Sequence, residues 1–330
     1  TSDSIYLQTH WVGDLFDRPV NLFHGMRYEE TEVHSEALVP LYDRVEWSIL
    51  DNRFNLYQQQ DEDGNTIRGF SEIDGAYSMF LPSFDFDMEI MDDVILRASY
   101  SLTVTRPDYN SLKGALIIDY LGTDGGGGRR GNPQLLPMES TNLDLSLEWY
   151  YAEGSYMSAG LWSKDVDNFI VSAKFEDQPL FKNLYTPIDG DLYNQAVDEL
   201  TGGDPRFDYD SGDLNEYYAE NYVGLPGIEI SGQGEDVEVI QTGLEGDPVA
   251  IFDVIIPINQ RETNVKGLEL MAQHTFGESG FGFQANYTIV DGNLEYDINL
   301  NEAQWVIPGM SDTANLVAFY DKDGFQIRFA

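Results

Sequence analysis

The sequence contains no cysteine, so neither a disulfide framework nor a thiolate metal site is open to it. It has no run of about 18 apolar residues, which excludes a transmembrane helix. Strands remain open, because a barrel strand crosses a bilayer with only about 9–11 residues and leaves a weak hydropathy signal. Basic residues are scarce: 18 Lys and Arg stand against 58 Asp and Glu, for a formal charge of −40. Affinity for a phosphate backbone rests on Lys and Arg, so nucleic acid is excluded as a partner. Docking on an anionic cytoplasmic leaflet is disfavoured for the same reason. An acidic surface suits high salt, divalent cations, or a cationic or neutral ligand. The first residues, TSDSIYLQTHWVGDL, show neither a basic n-region nor an apolar h-region. Helical periodicity is nearly absent, with DLYNQAVDEL near residue 195 the best candidate.

What the chain does have is aromatic residues, 13% of the total with 20 Tyr and 18 Phe, and period-two alternation. The clearest stretch is Val94–Ile170. Val94, Leu96, Ala98, Tyr100, Leu102 and Val104 point one way, and Arg97, Ser99, Ser101, Thr103 and Thr105 the other. Leu143, Leu145, Leu147, Trp149 and Tyr151 then share a face opposite Asn142, Asp144, Ser146 and Glu148. One apolar face, one polar face and aromatics near the strand ends describe a wall between lipid and water. They equally describe a strand of a soluble β-sandwich.

Along the chain, residues 1–35 read as a hairpin turning through Gly13–Pro19. Residues 44–60 and 67–80 read as two more strands, joined by Asp61-Glu62-Asp63-Gly64-Asn65. From 174 to 255 alternation fades into an acidic, Gly- and Tyr-rich segment, read as one long loop insertion. Alternation returns at Gly267–Phe276 and Phe281–Ile289, and the last hairpin pairs TANLVAFY with FQIRFA. Short turns (152–155, 277–280, 321–324) therefore alternate with long acidic connections (106–138, 174–255 and 291–311, the last carrying Trp305 and Pro308). A transmembrane barrel segregates short turns and long loops to opposite sides, whereas a sandwich does so less systematically. The chain also stops mid-strand at Ala330, as a piece of something longer would.

The runs RPDYNSL (Arg106–Leu112), GNPQLLPMESTNLDLSLEWYY (Gly131–Tyr151) and SAGLWSKDVDNFI (Ser158–Ile170) together resemble the barrel of TonB-dependent outer-membrane receptors. So do GMRYEET at Gly25–Thr31 and VKGLEL at Val265–Leu270. The resemblance implies an all-β, antiparallel transmembrane barrel, with residues 1–330 forming roughly a dozen strands of its later part. It implies long extracellular loops, short periplasmic turns and a Gram-negative outer-membrane location. The implied partners are membrane lipid, a small nutrient ligand, and the TonB complex acting through an N-terminal plug that this sequence lacks. The implied activity is transport, not catalysis. A TonB box, early strands and a terminal aromatic closing strand are also missing.

Several motifs bear on a ligand. Gly126-Gly127-Gly128-Arg129-Arg130-Gly131 satisfies G-x-G-x-x-G as a string, but Pro133 and Pro137 forbid the helix a dinucleotide site needs, so it reads as a flexible loop. No Walker G-K-[ST] follows. Asp208, Asp210 and Asp213 resemble a calcium loop, yet Ala219 stands where the bidentate Glu belongs, leaving irregular Ca²⁺ binding against a solvated acidic loop. Tyr209, Tyr217, Tyr218 and Tyr222, interleaved with acids, suit stacking on a sugar as well as self-packing. Arg129, Arg130 and Arg206 are candidates for an anionic ligand or for neutralising their neighbours. The four histidines, His10, His24, His34 and His274, lack zinc spacing, and acid pairs such as Asp165/Asp167 are expected by chance among 58 acids. An oligosaccharide is the expected cargo. The alternative is a secreted, acidic, Ca²⁺-dependent glycan-binding sandwich.

Overall fold

In a computed structural model, which describes residues 1–204, 208–232, 236–260, 262–292 and 311–330, alternation becomes strand almost throughout. Strands β1 (Ser2–Leu15) and β2 (Arg18–Pro40) form the first hairpin. Their turn is narrower than the sequence indicates: only Phe16 and Asp17, both at positive φ, lie outside the strands. The connection that follows holds β3 (Tyr42–Ser48) and β4 (Arg53–Gln58) before β5 (Arg68–Met91) and β6 (Val94–Thr105). A second connection carries β7 (Leu116–Gly122) and β8 (Gly125–Arg130), and leads to β9 (Met138–Ala152) and β10 (Ser155–Asp167). A third contains β11 (Ile170–Gln178), helices α1 (Asp191–Thr201) and α2 (Ser211–Asn221), and β12 (Ile228–Ser231), β13 (Glu238–Thr242) and β14 (Phe252–Asn259). The chain continues through β15 (Thr263–Thr275), β16 (Phe281–Gly292), β17 (Thr313–Lys322) and β18 (Phe325–Phe329).

Ten of these strands make one open antiparallel sheet, ordered β1-β2-β5-β6-β9-β10-β15-β16-β17-β18, so each neighbour in space is the next wall strand in sequence. Register carries the apolar face across it. Leu22, Phe86, Ala98, Leu145, Leu161, Leu268 and Ile289 are successive cross-strand partners. These side chains are not covered by a second layer, and Leu143, Leu145, Leu147 and Trp149 are all exposed. A sandwich would bury that face, so the soluble alternative fails. Although β2 and β5 run 23 and 24 residues, their apolar alternation covers only Val20–Tyr28 and Phe80–Met88, close to the 9–11 residues or so that a barrel strand needs. Beyond Tyr28 the same face turns polar with Glu30, Glu32 and His34. At the short-turn end a row of rings follows the sheet: Trp149 lies 5.1 Å from Tyr151, Tyr151 5.9 Å from His274, and Phe281 4.8 Å from Tyr320. Such a girdle marks a membrane interface. Among the described residues no helix is long and apolar enough to cross a membrane.

All the tight turns (16–17, 92–93, 153–154, 276–280, 323–324) join neighbouring wall strands at one end, and the long connections leave from the other. There they fold into a cap of two small sheets, β11-β14-β8-β7 and β12-β13-β3-β4. Two expectations change here. Residues 44–60 are a hairpin in the cap and not a wall strand, because β3 pairs with β13 as well as β4. The glycine run is strand β8, not a flexible loop, pairing β7 antiparallel and β14 parallel. The segment 174–255, read as one long loop insertion, carries helices and strands and shares both sheets with the other two connections. The connection at 291–311, with Trp305 and Pro308, falls almost wholly outside the described residues.

The buried apolar cores lie in the cap. One gathers Trp47, Ile49, Ile188, Leu214, Tyr218 and Val239 around the helices; the other gathers Val45, Leu184, Ala250, Phe252 and Val254 under β8 and β14. Water-covered parts of the molecule are thus packed conventionally, while the wall turns its apolar side chains outward, as a lipid environment allows.

Candidate functional site: an exposed face of the cap

The tyrosines of the acidic segment separate into two kinds. Tyr218 is fully buried and Tyr222 nearly so, their rings 4.7 Å apart in the core beside Trp47. Burial raises the Tyr218 phenol and pushes that of Tyr222 up to about 12. Tyr217 packs edge-on to Tyr222 at 5.6 Å, and the Tyr209 hydroxyl pairs with that of Tyr193 at 2.8 Å. For Tyr218 and Tyr222 this corrects the sugar-stacking reading: they hold α2 onto the cap.

The aspartates of the calcium reading are engaged at the start of α2. Asp210 is the N-cap of α2; its carboxylate accepts from the Asp213 N–H at 2.9 Å, and the Asp213 carboxylate accepts from the Asp210 N–H at 3.1 Å. This reciprocal box satisfies two helix-end donors. Asp208 accepts from the Tyr209 N–H at 3.1 Å. Among the described residues no group of three acidic or histidine side chains is arranged to hold a metal ion. Arg206 lies outside the described residues.

Arg129 and Arg130 end β8 on the sheet β11-β14-β8-β7. One face of this sheet covers the second core, where Phe252 lies against Gly126 so closely that a Cβ there would collide with its ring. The other face is open. On it the Tyr120 ring lies across Gly127, again where a Cβ would stand, and remains 62% exposed. A register shift at Asp119 gives Tyr120 this position. Gly127 and Arg129 point to the same side, about 7 Å apart along the strand. Arg129 pairs with Asp119 at 3.0 Å, and Lys174 with Asp253 at 2.7 Å on the neighbouring strands. The Lys174 ammonium holds the Asp253 carboxyl below its ordinary range.

Past Arg129 the face opens into a cleft of about 510 Å³ lined by Lys113, Arg129, Arg130, Ser111 and Ser172, with Ile117, Ile255 and Pro257 as its apolar floor. Asp108 also lines it, but its carboxylate is taken up by the Ser111 hydroxyl at 2.7 Å and the Asn110 and Ser111 N–H groups, which hold it below the ordinary range. Tyr120, Lys113 and Ser172 did not stand out in the sequence. The available signal was a tyrosine and a tetraglycine a few residues apart in one hairpin.

The second connection is tied to the inner, polar face of the wall. Glu29, 2% exposed, accepts from Arg27 at 2.8 Å, from the Ser2 hydroxyl at 3.1 Å and from Arg106. The Gly114 N–H donates to Ser35 Oγ at 2.9 Å. Further toward the tight turns the inner face carries a polar hollow of about 380 Å³ containing Asp85, Asp87, Arg97, Asp144 and Ser146, with Arg97 donating to Glu148 at 3.1 Å.

A family model described as TonB dependent receptor-like, beta-barrel, matches residues 1–326. No curated protein matches the sequence. Among solved structures, a double mutant of the Serratia marcescens hemophore receptor HasR, in complex with its hemophore HasA and heme, is 13% identical, with 97% of this chain and 42% of that one covered and a TM-score of 0.46. The siderophore receptor PirA from Acinetobacter baumannii is 12% identical, with 99% and 41% covered and a TM-score of 0.46. The copper transporter OprC is 12% identical, with 98% and 33% covered and the same score. The chain spans about two fifths of the length of the first two. With nearly its whole length matched by the family model, the chain belongs to the TonB-dependent receptor-like β-barrels.

Proposed function

We propose that this chain is the later part of the barrel of an outer-membrane transporter of Gram-negative bacteria, importing a nutrient with energy delivered by TonB through a plug encoded elsewhere in the protein. The observation that carries this reading is the ten-stranded sheet, with an uncovered apolar band on one face and all its tight turns at one end. The cap then faces the outside, where it meets the nutrient first, and the polar inner face lines the route inward. An oligosaccharide is the cargo we favour. It is supported by the open aromatic on the cap and the hydroxyls and paired charges around it, which suit stacking and hydrogen bonding with a sugar. The test is uptake of a labelled oligosaccharide mixture by cells carrying the full-length gene. Uptake lost on deleting either the receptor or TonB supports the reading; uptake indifferent to TonB overturns it.

A further inference from the structure

We infer that the open face of the β11-β14-β8-β7 sheet binds an acidic oligosaccharide, with Tyr120 as the stacking platform and Lys113, Arg129 and Arg130 as carboxylate partners. This rests on the transport reading and narrows its substrate class.

The sheet is a rigid base, because on its reverse face Phe252 and Val254 pack with Val45, Leu184 and Ala250 in a buried core. The glycine strand gives the Tyr120 ring a fixed bed, leaving its other face to solvent. An exposed tyrosine held this way suits the C–H face of a pyranose, which is apolar and of similar size. Charge then selects among sugars. The chain holds 18 basic residues against 58 acidic ones, yet three of the 18 line this one cleft. The acids beside them are occupied: Asp108 by its own turn, Asp119 by Arg129. Lys113 donates to the Asn110 side chain at 2.8 Å, and among the described residues no carboxylate is ion-paired with Lys113 or Arg130. A guanidinium fork matches a carboxylate in two parallel hydrogen bonds. Ser111 and Ser172 add hydroxyl partners. The platform and Arg129, about 7 Å apart, are spaced so that one sugar stacks while its neighbour meets the cations. A small inorganic anion would make no use of Tyr120 or the apolar floor, and a neutral glycan would make no use of the cations.

The test is calorimetric titration of the full-length receptor in detergent with tri-galacturonate and tri-mannuronate, using maltotriose as the neutral comparison. At least one uronate trimer is expected to bind more tightly than maltotriose, and to weaken as salt rises. Losing one charge-assisted contact should weaken it about tenfold in Arg130→Gln. Tyr120→Ala should weaken it comparably, while Tyr120→Phe, which keeps the ring, should stay near the parent. A heat-modifiable band checks that each variant is folded. Maltotriose binding as tightly as both uronates, failure of both uronates to bind, or indifference to both Arg130→Gln and Tyr120→Ala would each overturn the assignment. A receptor that passes the TonB-dependent uptake test but fails here retains its transport role and loses only this site.

Discussion

Gly126 and Gly127 are neighbours with opposite consequences. A side chain on Gly126 meets Phe252, which is fully buried and has nowhere to go. Gly126→Ala should therefore destabilise the cap by about 1–3 kcal/mol, the usual cost of overpacking a core. Hydrogen exchange of the cap amides would show it, and unchanged protection would mean that Phe252 is not the constraint. Gly127→Ala displaces only an exposed ring, so the fold should survive while the platform is lost. Another residue-level expectation concerns His34, on the polar extension of β2, whose Nδ1 lies 2.6 Å from Asp74 Oδ1. Hydrogen bonding to Asp74 raises the imidazole above its ordinary value. The pair's contribution is thus complete below the unfolded value, about 6.5, and is lost as pH rises through the higher folded value. An NMR titration of His34 should give a midpoint above 6.5 or so that falls back in Asp74→Asn. An identical midpoint in the variant would remove the pair from the account.

At the scale of elements, what was legible depended on where each partner lies. Each wall strand pairs across a tight turn with its neighbour along the chain, so period-two alternation and turn residues were enough to find β6, β9, β10, β15 and β16. Cap strands pair across connections, β8 with β14 and β13 with β3, and no local pattern announces that. The tetraglycine reads as a loop because glycine loses the most entropy in a strand. Only contact with Phe252 and Tyr120, one of them more than a hundred residues away, makes it necessary. Helix α1 was visible in DLYNQAVDEL, but α2 was not, since it buries Leu214, Asn215 and Tyr218 without a regular apolar stripe. Its signal was the capping pair, whose two aspartates also resembled metal ligands. Asp210→Ala should cost α2 about 1 kcal/mol, and Asp210→Asn much less because Asn also caps well. Thermal melting with and without calcium and chelator separates the readings: a helix cap shifts with the substitution alone, whereas a calcium dependence confined to the parent would restore the metal site.

For the whole molecule, the decisive property is which face of the wall meets lipid. The sequence already showed two faces but was silent on what covers the apolar one, because a sandwich and a barrel share that alternation. The uncovered band across ten strands, with the packed cores displaced into the cap, makes the choice. It also predicts opposite outcomes for two adjacent residues of β9. Leu147 sits mid-band, aligned with Leu96 and Ala159, so Leu147→Arg places a charge in hydrocarbon. That should cost about 2–4 kcal/mol near the bilayer centre. Ser146 is on the inner face, aligned with Arg97 and Gly160 and flanked by the Asp144 and Glu148 side chains. Ser146→Arg therefore enters an acidic, polar hollow and should leave stability nearly unchanged. Urea unfolding of the full-length receptor in lipid vesicles, followed by the heat-modifiable band, measures both. Equal penalties for the two substitutions, or the larger one at Ser146, would mean that the apolar face is not turned to lipid.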